Sequence, residues 1–450
     1  MKYRISVALA AILLIVVPQF FIDSEVYART VSIAGICLLL WISEIVPAFV
    51  PSLLLWTLVP TFLSPFDGKF TFTNTLSWAV DPVMALFFGG FVLGVATESS
   101  GLDRRLTQFA LRSSGDSFEK FLLSTMLITA LLSMWMSNIA AAALVFACLN
   151  PILCKFDSDH ILRRALLLAV AFGADFGGIA TPIGTGPNAI AIASISATQS
   201  VSFFSWMGFA LPLTVGLLFA SYLLLSWRVR RKRSDWTEKK DEIYGSVPET
   251  ESVLPKYRQT SFLIILAGTI ILWLSEPLHG IPAAVIALGS AATLFLSGVL
   301  SKNDLARVDW STLLLIAGGI TLGRLLEHSG VVKTLAATVP FADFDPRLSL
   351  FLLCLASALL SALMSNTATA VMLIPLASVL IPSPSTAILI AVSASFGVPF
   401  LISTPPNAMA FGQGGLKFTD LFWPGLLLML FGCVLVSLTG KSVLQFVGIP

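Results

Sequence analysis

Residues 361–367 read Ser361-Ala362-Leu363-Met364-Ser365-Asn366-Thr367. The tripeptide Ser365-Asn366-Thr367 interrupts two apolar runs, Leu350–Leu363 and Ala368–Leu380. A second polar interruption follows, Ser403-Thr404-Pro405-Pro406-Asn407. Both recur in the first half of the chain, as Ser137-Asn138 and as Gly184-Thr185-Gly186-Pro187-Asn188. A membrane crossing needs about 20 apolar residues. The apolar runs on either side of each Ser-Asn are shorter than that, so residues 119–153 and 348–382 read as re-entrant helical hairpins with Ser-Asn at the tip.

The surroundings are those of a membrane protein. The 450 residues are 56% hydrophobic and 12% charged, with a mean hydropathy of +0.90; a soluble domain is about a quarter charged. Apolar segments place spans at about 5–22, 30–46, 48–63, 83–98, 164–198, 207–227, 260–277, 282–300, 311–326, 385–412 and 421–445. The spans at 164–198 and 385–412 are broken near 181–188 and 403–407. Val26-Tyr27-Ala28 loosely resembles a cleavage site, but the many later spans favour a first span over a signal peptide. The stretch Asp103–Lys120 reads as an interfacial amphipathic helix. Nine Lys/Arg fall between Arg228 and Arg258, in a segment without a long apolar run. It reads as a solvated connector.

The halves match residue by residue. Trp41, Ser43 and Glu44 correspond to Trp273, Ser275 and Glu276; Asp81, Gly89, Gly94 and Glu98 correspond to Asp309, Gly318, Gly323 and Glu327. Phe172-Gly173 corresponds to Phe396-Gly397, and Pro187-Asn188 to Pro406-Asn407. Each repeat holds an odd number of crossings, which inverts one relative to the other. Most basic residues fall inside when the N-terminus is cytoplasmic and the C-terminus external. The expectation is an all-α polytopic membrane protein of about 11 transmembrane helices in two inverted repeats, each with a re-entrant hairpin and a broken helix. Its expected place is the bacterial inner membrane. Residues 1–113 and 259–347 form a scaffold, with 114–227 and 348–450 as the transport parts and 228–258 as a cytoplasmic loop.

A broken helix at membrane depth must line a protein-walled cavity. Pro182, Pro187, Pro405 and Pro406 lack an N–H, which frees the carbonyls of Gly178, Ile183, Leu401 and Ile402. Carbonyls, hydroxyls and amide oxygens suit a small hard cation, and restarting helices offer N–H groups to an anion. The breaks hold no Arg, Lys or His, so a dianion there needs bound cations to neutralise it. Ser133 and Ser361, four residues before Ser137 and Ser365, are further candidates for cation sites. Glu44 and Glu276 read as structural, Glu98 and Glu327 as helix ends at the interface, and Asp175 as solvated in a vestibule. Trp78, Trp206, Trp310 and Trp423 read as an interfacial belt. The five cysteines read as packing thiols. No catalytic cluster is present, so a membrane enzyme is not expected, and obligatory neutralisation argues against a channel. No cofactor and no nucleic-acid partner are expected.

At these residues the chain resembles the divalent anion/sodium symporter family, which includes di- and tricarboxylate transporters and sulfate transporters. Its signature is Ser-Asn-Thr at each hairpin tip and a Thr-Pro-Pro-Asn-like break in each later span. The second half matches both; in the first, Ile139 replaces Thr, and Gly186-Pro187 replaces Pro-Pro. The resemblance implies a homodimer working by an elevator motion and sodium-coupled symport of a C4-dicarboxylate such as succinate or malate. Sulfate symport and dicarboxylate exchange are the alternatives. It implies one sodium site near Ser133, Ser137, Asn138 and Gly184, and a second near Ser361, Ser365, Asn366 and Ser403. The anion would contact Asn138, Thr185, Asn366, Thr367, Thr404 and Pro405.

Overall fold

In a computed structural model of the chain, helices stop and restart at each polar interruption. The structure describes residues 2–22, 24–43, 45–101, 117–196, 198–230, 236, 255–331, 334, 345–401 and 403–450. Every regular element among them is helical. Most of the amphipathic stretch expected at 103–120, the 113/114 boundary, most of the 228–258 connector and most of 328–347 lie outside the described residues, as do Glu44 and Ile402.

The first part comprises α1 (Lys2–Phe21), α2 (Glu25–Ser43), α3 (Val50–Leu63), a short α4 (Phe72–Trp78) that the sequence did not announce, and α5 (Pro82–Ser100). Asp81 caps α5, accepting from Val83 N at 2.9 Å, with Pro82 at the first helical position. Gly101, at φ 68°, ends it. The first hairpin is α6 (Phe118–Ser133) and α7 (Asn138–Leu153). Then come α8 (Ile161–Gly177) with a 3₁₀ turn Gly178–Ala180, α9 (Gly186–Ile195) and α10 (Phe203–Val229).

The second half runs α11 (Lys256–Leu274), α12 (Glu276–His279), α13 (Ala283–Leu296) and α14 (Trp310–His328). Its hairpin is α15 (Pro346–Ser361) and α16 (Asn366–Leu380), followed by α17 (Pro384–Ala394), α18 (Pro405–Gly412) and α19 (Phe418–Phe446). The second break is wider than expected: helix is lost from Ser395, not from 403. By length and composition α2, α5, α10, α11 and α19 can cross a membrane. The hairpin helices, of 16, 16, 16 and 15 residues, rise about 22–24 Å at 1.5 Å per residue, short of a ~30 Å hydrocarbon core.

Packing places the broken helices innermost. α8 lies against α6, α7, α10 and α18, and α17 against α9, α15, α16 and α19. Residues 165–177 of α8 and 385–394 of α17 are all buried. Glycine permits the close approach: a Cβ at Gly177 would sit 2.5 Å from Ala130 backbone atoms, and one at Gly397 2.6 Å from Ala362 N. α5 packs on α13, and α3 on α14, around the outside.

The two halves repeat local bonds as well as residues. Trp41 Nε1 donates to Ala48 O at 2.8 Å and Trp273 Nε1 to Ala283 O at 3.0 Å, each reaching past the end of its helix. Glu276 accepts from Phe203 N at 2.9 Å and Ala283 N at 3.3 Å, so its role is structural, as expected. Glu98 pairs with Arg307 at 2.7 Å. Two expectations fail. Trp206 is not in an interfacial belt: it is fully buried and donates to Ile179 O at 3.1 Å. Trp236, within the supposedly solvated connector, is fully buried among Phe118, Phe121 and Phe156. Indole burial outweighs its charged neighbours in sequence.

Candidate functional site

The site grows from four helix starts. Ser137 caps α7, its Oγ accepting from Ala140 N at 3.2 Å, and Ser365 caps α16, accepting from Ala368 N at 3.2 Å. The serine of each Ser-Asn pair is therefore an N-cap, which explains why helix resumes at the following asparagine. α9 and α18 begin at the breaks, with Thr185 and Thr404 in the capping position. α9 packs on α16 and α18 on α7. Four helix N-termini, each carrying a partial positive charge, thus gather in two pairs.

Each hairpin tip contains the same cluster of oxygens. Ser133 Oγ lies 2.8 Å from Asn138 Oδ1 and 2.7 Å from Ala174 O. Ser361 Oγ lies 2.6 Å from Asn366 Oδ1 and 2.5 Å from Ala394 O. A hydroxyl has one proton to donate, and the other two atoms are acceptors only. The one hydroxyl proton cannot serve both acceptors at once, although Ala174 O also accepts from Gly178 N; three neutral oxygens this close are a good start on a hard-cation shell. In the first half Gly178 and Gly184 close around it: a Cβ at Gly178 would collide with Asn138 Oδ1 and reach Gly184 O at 3.0 Å, and one at Gly184 would collide with Gly178 O.

The broken backbones are held by two asparagines that the sequence reading matched between halves but gave no site role. Asn188 Nδ2 donates to Thr181 O at 2.8 Å and Gly178 O at 3.2 Å. Asn407 Nδ2 reaches Val398 O at 3.1 Å, Ser403 Oγ at 3.2 Å and Phe400 O at 3.4 Å. The Gly178 carbonyl is therefore not free, as proline alone suggested; the Asn188 amide takes it. The acceptors fix each amide's orientation, since a flip would set oxygen against oxygen. Both Oδ1 atoms are buried without a partner among the described residues. Thr181 Oγ1 also donates to Met134 O at 2.5 Å, tying the first break to the first hairpin tip.

The remaining candidates sort by what they touch. Ser403 Oγ donates to Phe400 O at 2.8 Å. Thr367 is half-buried against Gly186, where a Cβ would collide with Thr367 Oγ1. This contact explains glycine at 186, where the family pattern has proline. Thr185 and Asn138 are half-buried, whereas Pro405 and Ile139 are exposed. Thr404 Oγ1 donates to Asp175 Oδ2 at 2.9 Å and accepts from Asn407 N at 3.3 Å. Its one proton is committed to Asp175, leaving its oxygen and the α18 N-terminus to face other groups.

Asp175 is not solvated in a vestibule. It is 1% exposed, and its Oδ1 has no partner among the described residues. It sits one residue beyond Ala174, whose carbonyl joins the first oxygen cluster, and binds the cap of the second break, joining the two halves. A span residue with hydrophobic neighbours on both sides in sequence gives no sign of which helix end it will meet. Asp175→Ala leaves the Thr404 hydroxyl without its acceptor and is expected to lower stability by about 1–3 kcal/mol. Asp175→Asn retains an acceptor and should recover much of that loss. Thermal unfolding of the two purified variants checks the order.

A family model described as "Citrate transporter" matches residues 38–388 and 337–447. An uncharacterised transporter of Haemophilus influenzae is 30% identical over 417 residues, covering 89% of this chain and 88% of the relative. The sodium-dependent dicarboxylate transporter SdcS of Staphylococcus saprophyticus is 25% identical over 429 residues, covering 86% and 81%. The fold is similar to the crystal structure of the Alcanivorax borkumensis YdaH transporter, with a TM-score of 0.54 at 18% identity, covering 88% of this chain and 99% of that one. Apolar helices around two matched polar breaks, with a family match over most of the chain, make this an integral membrane transporter and not an enzyme: the chain belongs to the citrate transporter family.

Proposed function

We propose that this protein is a secondary active transporter coupling sodium to uptake of a small divalent anion, a C4-dicarboxylate such as succinate or malate. The observation that carries the reading is the repeated oxygen cluster, Ser133–Asn138–Ala174 and Ser361–Asn366–Ala394. Each is a place for one sodium ion, completed by Ser137 and Gly184 in the first half and by Ser365 and Ser403 in the second. The anion binds between the helix starts, against Asn138, Thr185, Asn366, Thr367, Thr404 and Pro405. Thr404 contributes there through its helix N-terminus, its proton being held by Asp175.

Coupling follows from electrostatics. No Lys, Arg or His belongs to either cluster, so the dianion enters favourably only when cations have filled them. SdcS, named as a sodium-dependent dicarboxylate transporter, is in accord with this. The two halves act as inverted repeats in a cell membrane, with the N-terminus inside and the C-terminus outside. The parts at 114–227 and 348–450 move as an elevator against the scaffold at 1–113 and 259–347, joined by the 228–258 loop, in a homodimer. At the first tip the exposed Ile139 side chain offers no donor, so side-chain polar contact is weighted to the Thr367 side. That observation favours sulfate as the second reading, being a smaller dianion.

In proteoliposomes an inward sodium gradient is expected to drive succinate uptake. Asn366→Ala removes the amide oxygen of the second cluster and should lower uptake at least about tenfold, one tenfold step corresponding to ~1.4 kcal/mol. It should also raise the sodium concentration needed for half-maximal rate. Uptake that persists unchanged without sodium overturns the coupling; uptake of sulfate in place of succinate selects the second reading.

A further inference from the structure

We propose that the cavity between α9, α14 and α16 is an anion vestibule leading to the site, with Arg324 as the residue that captures the incoming substrate. The proposal rests on the transporter reading above and adds a second, transient binding place to it.

The cavity holds about 250 Å³ and is lined by Ser194, Thr198, Gly323, Arg324, Glu327 and Ser378, among others. Two of its walls lead to the site. α9 starts at Gly186 and α16 at Asn366, where Gly186 meets Thr367. Ser194 and Ser378 lie farther along the same helices, about 12 and 18 Å beyond those starts at 1.5 Å per residue. Gly319 lets Ile190 and Val371 press onto α14, where a Cβ would meet both; this apolar contact forms the floor between cavity and site.

Arg324 and Glu327 are the charged groups among the described lining residues, and they are not equivalent. The Arg324 side chain is 27% exposed and its Glu327 partner 63%, joined by one contact of 3.3 Å. Arginine presents five N–H donors in a planar fork suited to a carboxylate. Among the described residues a single exposed carboxylate engages that fork, and Arg324 lies on the cavity wall. In the span expected at 311–326, an arginine one turn from the helix end and turned to a cavity instead of lipid marks a pathway for anions. The lining advances along the three helices together, from Ile190, Gly319 and Ile374 to Thr198, Glu327 and Ser378. That direction leads away from the starts of α9 and α16, so in the orientation proposed above the cavity opens to the external side and focuses anions there.

The test reads local charge, not transport. In the full-length purified transporter, with Cys148 and Cys154 changed to serine, Ser378→Cys places a thiol on the cavity wall. Its labelling rates by anionic sulfonatoethyl and cationic trimethylammonioethyl methanethiosulfonates are compared. Arg324→Gln is expected to lower the anionic-to-cationic rate ratio about fivefold, Arg324→Lys to preserve it, and Glu327→Gln to raise it. Succinate should slow labelling with Arg324 present and not in Arg324→Gln. A ratio unmoved by Arg324→Gln in folded protein overturns the proposal; if Arg324→Gln fails to fold, a ratio unmoved by Glu327→Gln overturns it instead. Sodium-driven uptake in the parent, measured separately, decides the transport reading. Loss of one result therefore does not imply loss of the other.

Discussion

Gly184→Ala is expected to abolish sodium-dependent uptake, at least about 100-fold, which corresponds to ~2.7 kcal/mol of lost binding. The added Cβ would collide with Gly178 O and stand 2.8 Å from Gly178 Cα. Both glycines belong to the first break, so the chain has no flexible side-chain end to move aside. Relief requires the break to open, and that displaces Gly184 O from the Ser133–Asn138–Ala174 oxygens. Overpacking of this kind costs about 1–3 kcal/mol, so the protein should fold with a lowered Tm while losing function. Gly268→Ala is the control: its Cβ meets nothing within 4 Å. In mid-helix that change should be neutral or stabilising by up to ~1 kcal/mol. Uptake and Tm measured on both variants check the pair; a Gly184→Ala protein with normal uptake removes Gly184 from the sodium site.

The second large effect is expected from Asn407→Ala. Its amide reaches Val398 O, Phe400 O and Ser403 Oγ, and the side chain is 1% exposed. Alanine leaves these acceptors buried without that donor, at about 1–3 kcal/mol for each group left unsatisfied. Allowing for relaxation, a loss of about 2–5 kcal/mol follows, read as a fall in Tm of the purified protein. Asn407→Asp keeps the shape but removes the donor, and should be no better. Ser403 is a proposed sodium ligand, so uptake should fall in any fraction that folds. Asn188→Ala should behave alike in the first half, through Thr181 O and Gly178 O. A Tm within a degree of the parent for both alanine variants would sink the proposed role of these amides.

Much of the organisation was legible because the solvent constrains it. In hydrocarbon each backbone group needs an internal partner, so apolar length alone placed the spans. A serine, asparagine or proline inside such a run announced the hairpins and breaks. Ser137 and Ser365 fell at helix starts as residues that cap, and Glu276 proved structural. The misses have a common cause. Neighbours in sequence suggest water or an interface for Trp236 and Trp206, yet Trp236 is buried against Phe118, Phe121 and Phe156 and Trp206 is buried with its indole on Ile179 O. The vestibule reading for Asp175 failed for the same reason, since its partner Thr404 is 229 residues away.

The sequence by itself determined an all-helical membrane chain, its matched halves, and Ser133, Asn138, Ser361 and Asn366 as candidates, because apolar length, polar interruption and repetition are legible along the chain. The tertiary structure alone decided that a serine, an asparagine and a distant carbonyl bring their oxygens together at each tip. It also decided that Asn188 and Asn407 hold the broken backbones, that Gly186 is glycine because Thr367 lies against it, and that Arg324 faces a cavity. These are distances between helices. A sequence fixes which atoms a helix carries, but only close packing fixes which of them meet.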